Sequence, residues 1–374
     1  MGHRPERPVT TTTRAMSELE TYCRIAVRHS YDQYEKHGTL HAKAVEAFRD
    51  PTVWDHKWVP DDFDVCEART SPIWQAFTRE QKLAWSHLQW GLDYSAVAQG
   101  ERQIIVLNNY AVADYAQILP SVCELEKRES FEEIDHIEAF MVVLEGVRQR
   151  YFPRRRVPLS SMAASGFGSE RLNRVVRHGI GATARKLFGR NFPTLFFLAR
   201  GMKTHGFKPF ENAIAQNEEG HPVMRMISHL HRLDESRHMA TSLNLARLSN
   251  DILESLPRDN VLLFKLACQA AFPRGRSSSY RLNYWRKVLD EAVIYADVPA
   301  VEREQLYAHL VDRCSANLEN LHEVQTRLTR QANKRIIEDC GLPPKLKRVF
   351  VEHMRGDPAY ASTVDAVDVE GFHA

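Results

Sequence analysis

The sequence predicts an all-α protein, a four-helix bundle with additional helices at its N- and C-terminal ends. Three observations predict it. Helical periodicity of apolar residues runs through most of the chain, with long candidate rods at about 80–116, 130–151, 192–217 and 222–249. A carboxylate and an imidazole recur at Glu-x-x-His spacing in two of those rods, as Glu133-Ile134-Asp135-His136 and Glu235-Ser236-Arg237-His238. A long Gly- and Ser-containing link, Arg154 to Asn191, separates the first pair of rods from the second, as a crossover between helix pairs requires.

Residues 1–15 are polar, with a threonine run at Thr10 to Thr13, and read as a disordered tail without the apolar core of a signal peptide. Residues 16–79 read as a covering segment: a helix near Met16 to Lys36, then a Trp-, Asp- and Pro-rich irregular stretch. Residues 80–250 form the four-helix core, 251–358 supply further helices packed on it, and 359–374 read as a mobile tail.

The two cassettes sit where core side chains belong. In the fourth rod Met224, Ile227, His231, Glu235, His238, Ser242 and Leu245 follow one helical stripe, apolar at its ends and ionisable in its middle. In the second rod Glu133 and His136 continue into Phe140, Leu144 and Val147. Burying unpaired carboxylates there costs several kcal/mol per ion unless cations compensate them. Metal ions are the economical compensation. For the first rod the candidate ligand is Glu101, which shares a face with Tyr94, Val97, Ala98, Ile104 and Ile105. The third rod is harder. Reflecting the level of residue 235 through the turn at Asn217 to Pro222 lands near residue 203, so His205 is preferred to Glu211, which follows a helix-disrupting Pro209. The expected metal set is therefore Glu101, Glu133, His136, His205, His231, Glu235 and His238, with Glu133 and Glu235 bridging and Asp135 or Asp234 holding an imidazole from outside. Simpler readings stand beside these. Ser130-Phe131-Glu132-Glu133 also fits a capping box, Glu101 fits a solvated edge beside Arg102, and both aspartates fit a surface.

The order Glu101, Glu133-x-x-His136, then His231-x-x-Asp234-Glu235-x-x-His238 resembles the AurF-type N-oxygenases, ferritin-like di-iron enzymes that oxidise arylamines. The histidine four residues before the last glutamate carries the resemblance, which covers about residues 80–250. It implies two iron ions, O2 as co-substrate, a small-molecule amine and a tailoring step in natural-product biosynthesis. Manganese suits the same mixed donors. The chain departs from that family on the third rod, where Thr204 and His205 stand in place of a further glutamate. It contains no P-loop and no dinucleotide fingerprint, so the resemblance also implies an external electron donor, a reductase or ferredoxin.

Composition limits the alternatives. A hydrophobic share of 43%, a charged share of 26% and a formal net charge of +2 describe a globular protein without general affinity for nucleic acid or membranes. The six cysteines, Cys23, Cys66, Cys123, Cys268, Cys314 and Cys340, show no zinc spacing and read as reduced thiols of a cytoplasmic protein. Homodimerisation is an expectation by base rate. Two other functions fit the same residues: a di-iron C–H hydroxylase or desaturase with every ligand in common, and a non-enzymatic helical metal-binding protein.

Overall fold

Threonine and glutamine set the start of the first long rod. Thr78 Oγ1 accepts from Gln81 N at 3.2 Å and Gln81 Oε1 accepts from Thr78 N at 2.9 Å, so two otherwise orphaned amides are satisfied. The structure, a computed structural model, describes residues 10–63, 68–156, 191–253, 261–271, 277–356, 361 and 364–372. In chain order the helices are α1 (Thr10–His37), α2 (Leu40–Ala47), α3 (Pro72–Ala76), α4 (Arg79–Tyr115), α5 (Pro120–Tyr151), α6 (Asn191–Gln216), α7 (Pro222–Ile252), α8 (Val261–Ala271), α9 (Ser277–Glu291), α10 (Ala300–Asp339) and α11 (Pro344–Arg355). Among the described residues there is no β-strand, only an isolated bridge between Lys57 and Gly220. The fold is all-α and consistent with a ferritin-like bundle of α4, α5, α6 and α7. No helix among the described residues is long and apolar enough to cross a membrane.

Four local expectations need correction. α5 begins at Pro120, whose missing N–H costs nothing in a first turn, rather than near residue 130. Ser130 therefore lies inside the helix, where its hydroxyl donates to the Glu126 carbonyl at 2.7 Å, and the capping-box reading of Glu133 falls. Pro209 neither ends nor restarts α6, which runs through it to Gln216 and keeps Glu211 on the same rod. Helix α1 starts at Thr10, inside the stretch expected to be disordered. At the other terminus Val364 and Val367 are buried in the packed core, although that stretch reads as a mobile tail.

The apolar core is divided. One cluster gathers Trp58, Trp85, Trp90, Tyr94, Phe140 and Ile227. The other gathers Leu19, Leu125, Phe197, Leu245, Phe264 and Phe350. Each long rod contributes to both and changes from one to the other across an interval that carries buried polar side chains: between Ala98 and Ala111 on α4, Ala139 and Leu125 on α5, Phe210 and Met202 on α6, Leu230 and Leu245 on α7. Four rods thus bring their ionisable residues to one level. Gly201 lets α6 approach α7 there, since a Cβ at that position would stand 3.1 Å from Leu243 Cδ2.

Candidate metal centre

The ionisable level contains every ligand candidate whose side chain is described. Glu101, Glu133, His136, His231, Glu235 and His238 are all buried. They fall into two overlapping groups whose donor atoms lie within 4.8 Å of one another: Glu101, His136, His231 and Glu235 in the first, Glu133, Glu235 and His238 in the second. Glu235 belongs to both, as a bridging carboxylate must. The His136 and His231 rings are 4.5 Å apart between centroids, and those of His136 and His238 are 5.9 Å apart.

Each imidazole turns one nitrogen inward and is held by a carboxylate on the other. His136 Nε2 meets Asp234 Oδ2 at 3.2 Å, while its Nδ1 has no hydrogen-bond partner and lies 3.7 Å from both Glu101 Oε1 and Glu133 Oε2. His231 Nδ1 meets Glu211, and its Nε2 lies 3.0 Å from Glu101 Oε1. His238 Nε2 meets Glu132 Oε2 at 2.8 Å, and its Nδ1 faces Glu235 Oε1 at 3.0 Å and Glu133 Oε1 at 3.1 Å. An outer carboxylate fixes ring orientation and raises the basicity of the inner nitrogen, the arrangement of metal-bound histidines. Arg237 ties two of the three clamps together, reaching Glu132 at 2.6 Å and Asp234 at 3.0 Å.

The inner face is short of partners, and this is the test of fit to a metal. Glu101 Oε2, Glu133 Oε2 and His136 Nδ1 are buried without a hydrogen bond, a costly condition for polar atoms unless something else engages them. Charge points the same way. The seven carboxylates of Glu101, Glu129, Glu132, Glu133, Glu211, Asp234 and Glu235 stand against three guanidinium ions, Arg128, Arg200 and Arg237, which leaves four negative charges. Two divalent cations carry the opposite charge. Protonated imidazoles are the other way to compensate it. Burial opposes charge on His136, but the hydrogen bond to Asp234 and the nearby Glu101 and Glu133 carboxylates outweigh burial and raise its pKa well above the usual range. For His231 burial is likewise outweighed, chiefly by Glu211, and the pKa rises to about 10. His238 is raised against burial by Glu129 and Glu133. The residues fit two divalent ions that displace those protons on binding.

On the third rod Glu211 stands at this level as an outer partner of His231, not as a member of either donor group. Its buried carboxylate meets His231 and accepts from Tyr94 Oη at 3.3 Å. The reflection through the turn holds for residue 235, since Thr204 donates to Glu235 Oε2 at 3.1 Å. His231, one turn away from Glu235, stands level with Glu211. The His205 side chain lies outside the described residues. The two aspartates separate as well. Asp234 clamps His136, whereas Asp135 accepts from Leu40 N at 2.6 Å and His41 N at 3.1 Å and anchors the start of α2.

Sequence reasoning missed Glu132, Arg200 and Arg237. Arg200 is buried, 2.8 Å from Glu129 Oε2 and 2.9 Å from Glu133 Oε1. Beyond it burial and the neighbouring Glu129 push the Glu126 carboxyl pKa well above the usual carboxylate range. A signal for Arg200 was present: a lone cation in the apolar run Phe196-Phe197-Leu198-Ala199-Arg200-Gly201-Met202 is as anomalous as Glu101 in its own stripe.

Comparison with known proteins adds one finding. A protein-family model described as acyl halogenase CylC-like matches residues 25–173. The matched span is less than half of the chain; it holds Glu101, Glu132, Glu133 and His136 and stops before the second cassette. It does not single out the N-oxygenases that the motif order resembles. No curated protein and no solved structure matches the chain.

Proposed function

We propose that the protein is a dinuclear metal-dependent oxidative enzyme that functionalises a C–H bond of an acyl substrate, by halide or hydroxyl transfer, in natural-product biosynthesis. One observation carries the metal-centre part of this reading: three imidazoles, each clamped from outside by a carboxylate, converge on a shared group of inner carboxylates with unpartnered oxygens. Similarity to the acyl halogenase family over residues 25–173 supports carbon rather than nitrogen as the site of attack. N-oxygenation of an amine is kept as a second reading because His231 stands four residues before Glu235, the spacing that resembles the N-oxygenases.

Glu101, His136, His231 and Glu235 would hold one ion, and Glu133, Glu235 and His238 the other. Iron, or manganese, would supply O2 activation there, with electrons from a separate reductase or ferredoxin. The chain's own residues do the rest. Asp234, Glu211 and Glu132 orient the rings, and Arg237 locks two of those carboxylates in place. Thr204 positions Glu235 through its far oxygen. Phe140, whose ring lies 5.0 Å from that of His231, and the apolar layers on either side keep bulk water out.

The test is metal analysis followed by product analysis. Protein from iron-replete cells should hold close to two ions per chain. After reduction and exposure to O2 it should add halogen or oxygen to an acyl substrate supplied with chloride. Product only from amines would move the assignment to N-oxygenation, and a chain that retains no metal would end both readings.

A further inference from the structure

Tyr94 links the centre to a file of indole rings that leads away from it. Its hydroxyl donates to Glu211, the outer partner of His231, and its ring lies 6.2 Å from that of His231. Trp90 stacks on Tyr94 with centroids 4.0 Å apart and an interplanar angle of 16°. Trp58 follows edge-on to Trp90 at 6.0 Å, and Trp54 stands 5.1 Å from Trp58. Trp58, Trp90 and Tyr94 are fully buried, whereas Trp54 is half-buried, with the Arg150 guanidinium 4.9 Å over its ring.

Packing alone does not account for this choice of residues. The Trp90 indole N–H is buried with no hydrogen-bond partner, a cost that phenylalanine would avoid while filling the same stack. Tyr94 carries a phenol whose one proton points at a carboxylate, with Ser228 Oγ 2.9 Å away on its other side. Indole and phenol side chains lose one electron readily, and these four stand in ring contact from Trp54 to Tyr94.

We propose that Trp54, Trp58, Trp90 and Tyr94 form a one-electron transfer path between the outside of the protein and the His231 side of the centre, with Tyr94 as its redox-active terminus. It rests on the dinuclear reading only for what receives the electron. In the elementary step the Tyr94 phenol gives one electron to the oxidised metal pair of the proposed function while the O–H proton moves along its hydrogen bond to Glu211, leaving a neutral tyrosyl radical and a neutral carboxyl group. Trp90 then returns an electron to Tyr94, which recovers its proton from Glu211. The deficit passes to Trp58 and Trp54, where a one-electron donor protein fills it. One electron crosses, and no net proton is consumed.

The path is testable on metal-free protein, because electronic coupling serves transfer in either direction. A ruthenium polypyridyl photosensitiser is tethered at Asp55→Cys, beside Trp54, with Cys66 and Cys314 changed to serine, and is oxidised by flash photolysis with a cobalt(III) quencher. Electron paramagnetic resonance of frozen samples should show a tyrosyl radical that is missing in Tyr94→Phe. Trp90→Phe should lose the same signal, Trp90→Tyr should restore it, and Trp285→Phe, in the separate stack on Trp85, should leave it unchanged. A radical that survives Tyr94→Phe, or a wild-type yield in Trp90→Phe, overturns the path. Metal analysis of the same preparations separates the two ideas. A chain that takes up no metal yet forms the Trp90-dependent radical supports the path and removes the dinuclear reading. A chain that takes up metal and shows no such radical does the reverse.

Discussion

The two halves of the centre are built from similar residues but differ in what competes for their carboxylates. Around His136 and His231, Glu101 meets only imidazole nitrogens and keeps one oxygen unpartnered. Around His238, Glu133 is shared with the Arg200 guanidinium 2.9 Å away, a fixed cation that already neutralises part of the site. The first half offers four donors and no internal competitor, the second three donors and one competitor. Two ions should therefore bind unequally, the first at Glu101, His136, His231 and Glu235.

The largest effect expected from breaking this asymmetry comes from Arg200→Leu. In metal-free protein it leaves Glu129 and Glu133 buried without their partner, a loss of about 3–5 kcal/mol. Metal should recover much of that, because an ion at Glu133 replaces the lost charge. Thermal melts with and without iron measure this; equal losses in both would show that Arg200 and metal do not share Glu133. Next comes Glu101→Ala, which should abolish the tighter of two binding steps in calorimetry and leave the weaker. Asp234→Asn should then cost roughly 10–100-fold in affinity at the same step, as loss of an outer histidine partner does.

pH separates the ligands from their proton competitors. Because the His231 pKa is raised from 6.5 to about 10 in the folded protein, its contribution to metal-free stability is fully present below pH 6.5 and is lost as pH rises towards about 10. Glu132 moves the other way: burial opposes its charge, but His238 and Arg237 bring its pKa from 4.5 to about 2, so its contribution is lost as pH falls through that range. Metal affinity should rise with pH where metal-free stability falls, since metal needs neutral imidazole. Titration calorimetry at several pH values checks the sign. The smallest effect is expected from Asp135→Asn, which weakens an anion at the start of α2 and should cost about 1 kcal/mol of stability with metal affinity unchanged.

The pair Asp135 and Asp234 also marks how far the sequence could be read. Asp135 lies inside one cassette and Asp234 just before the other, and nothing in their spacing says that one clamps a histidine while the other anchors a neighbouring helix. That depends on which chain segment packs outside each rod. The inner ligands were legible because a carboxylate or imidazole in an apolar stripe is an anomaly visible in one helix at a time. The outer partners join different helices in all three clamps, Glu132 with His238, Asp234 with His136 and Glu211 with His231, and pairing across rods is set by register. Glu211 shows the margin. A single turn of helix decided whether it stood level with the centre, and Pro209 argued against a rod that in fact continues. The bundle itself was clear from periodicity, although rod ends moved wherever a polar stretch such as 120–130 proved helical.

The separation of the apolar core into two clusters has a mechanical consequence. Isolated helices fray from their tips, yet here the tips of the four long rods are gripped by oil-like packing and the waist is held by charge. Ions bound at that waist would act as a buckle, tying the four rods to one another between the two apolar clusters.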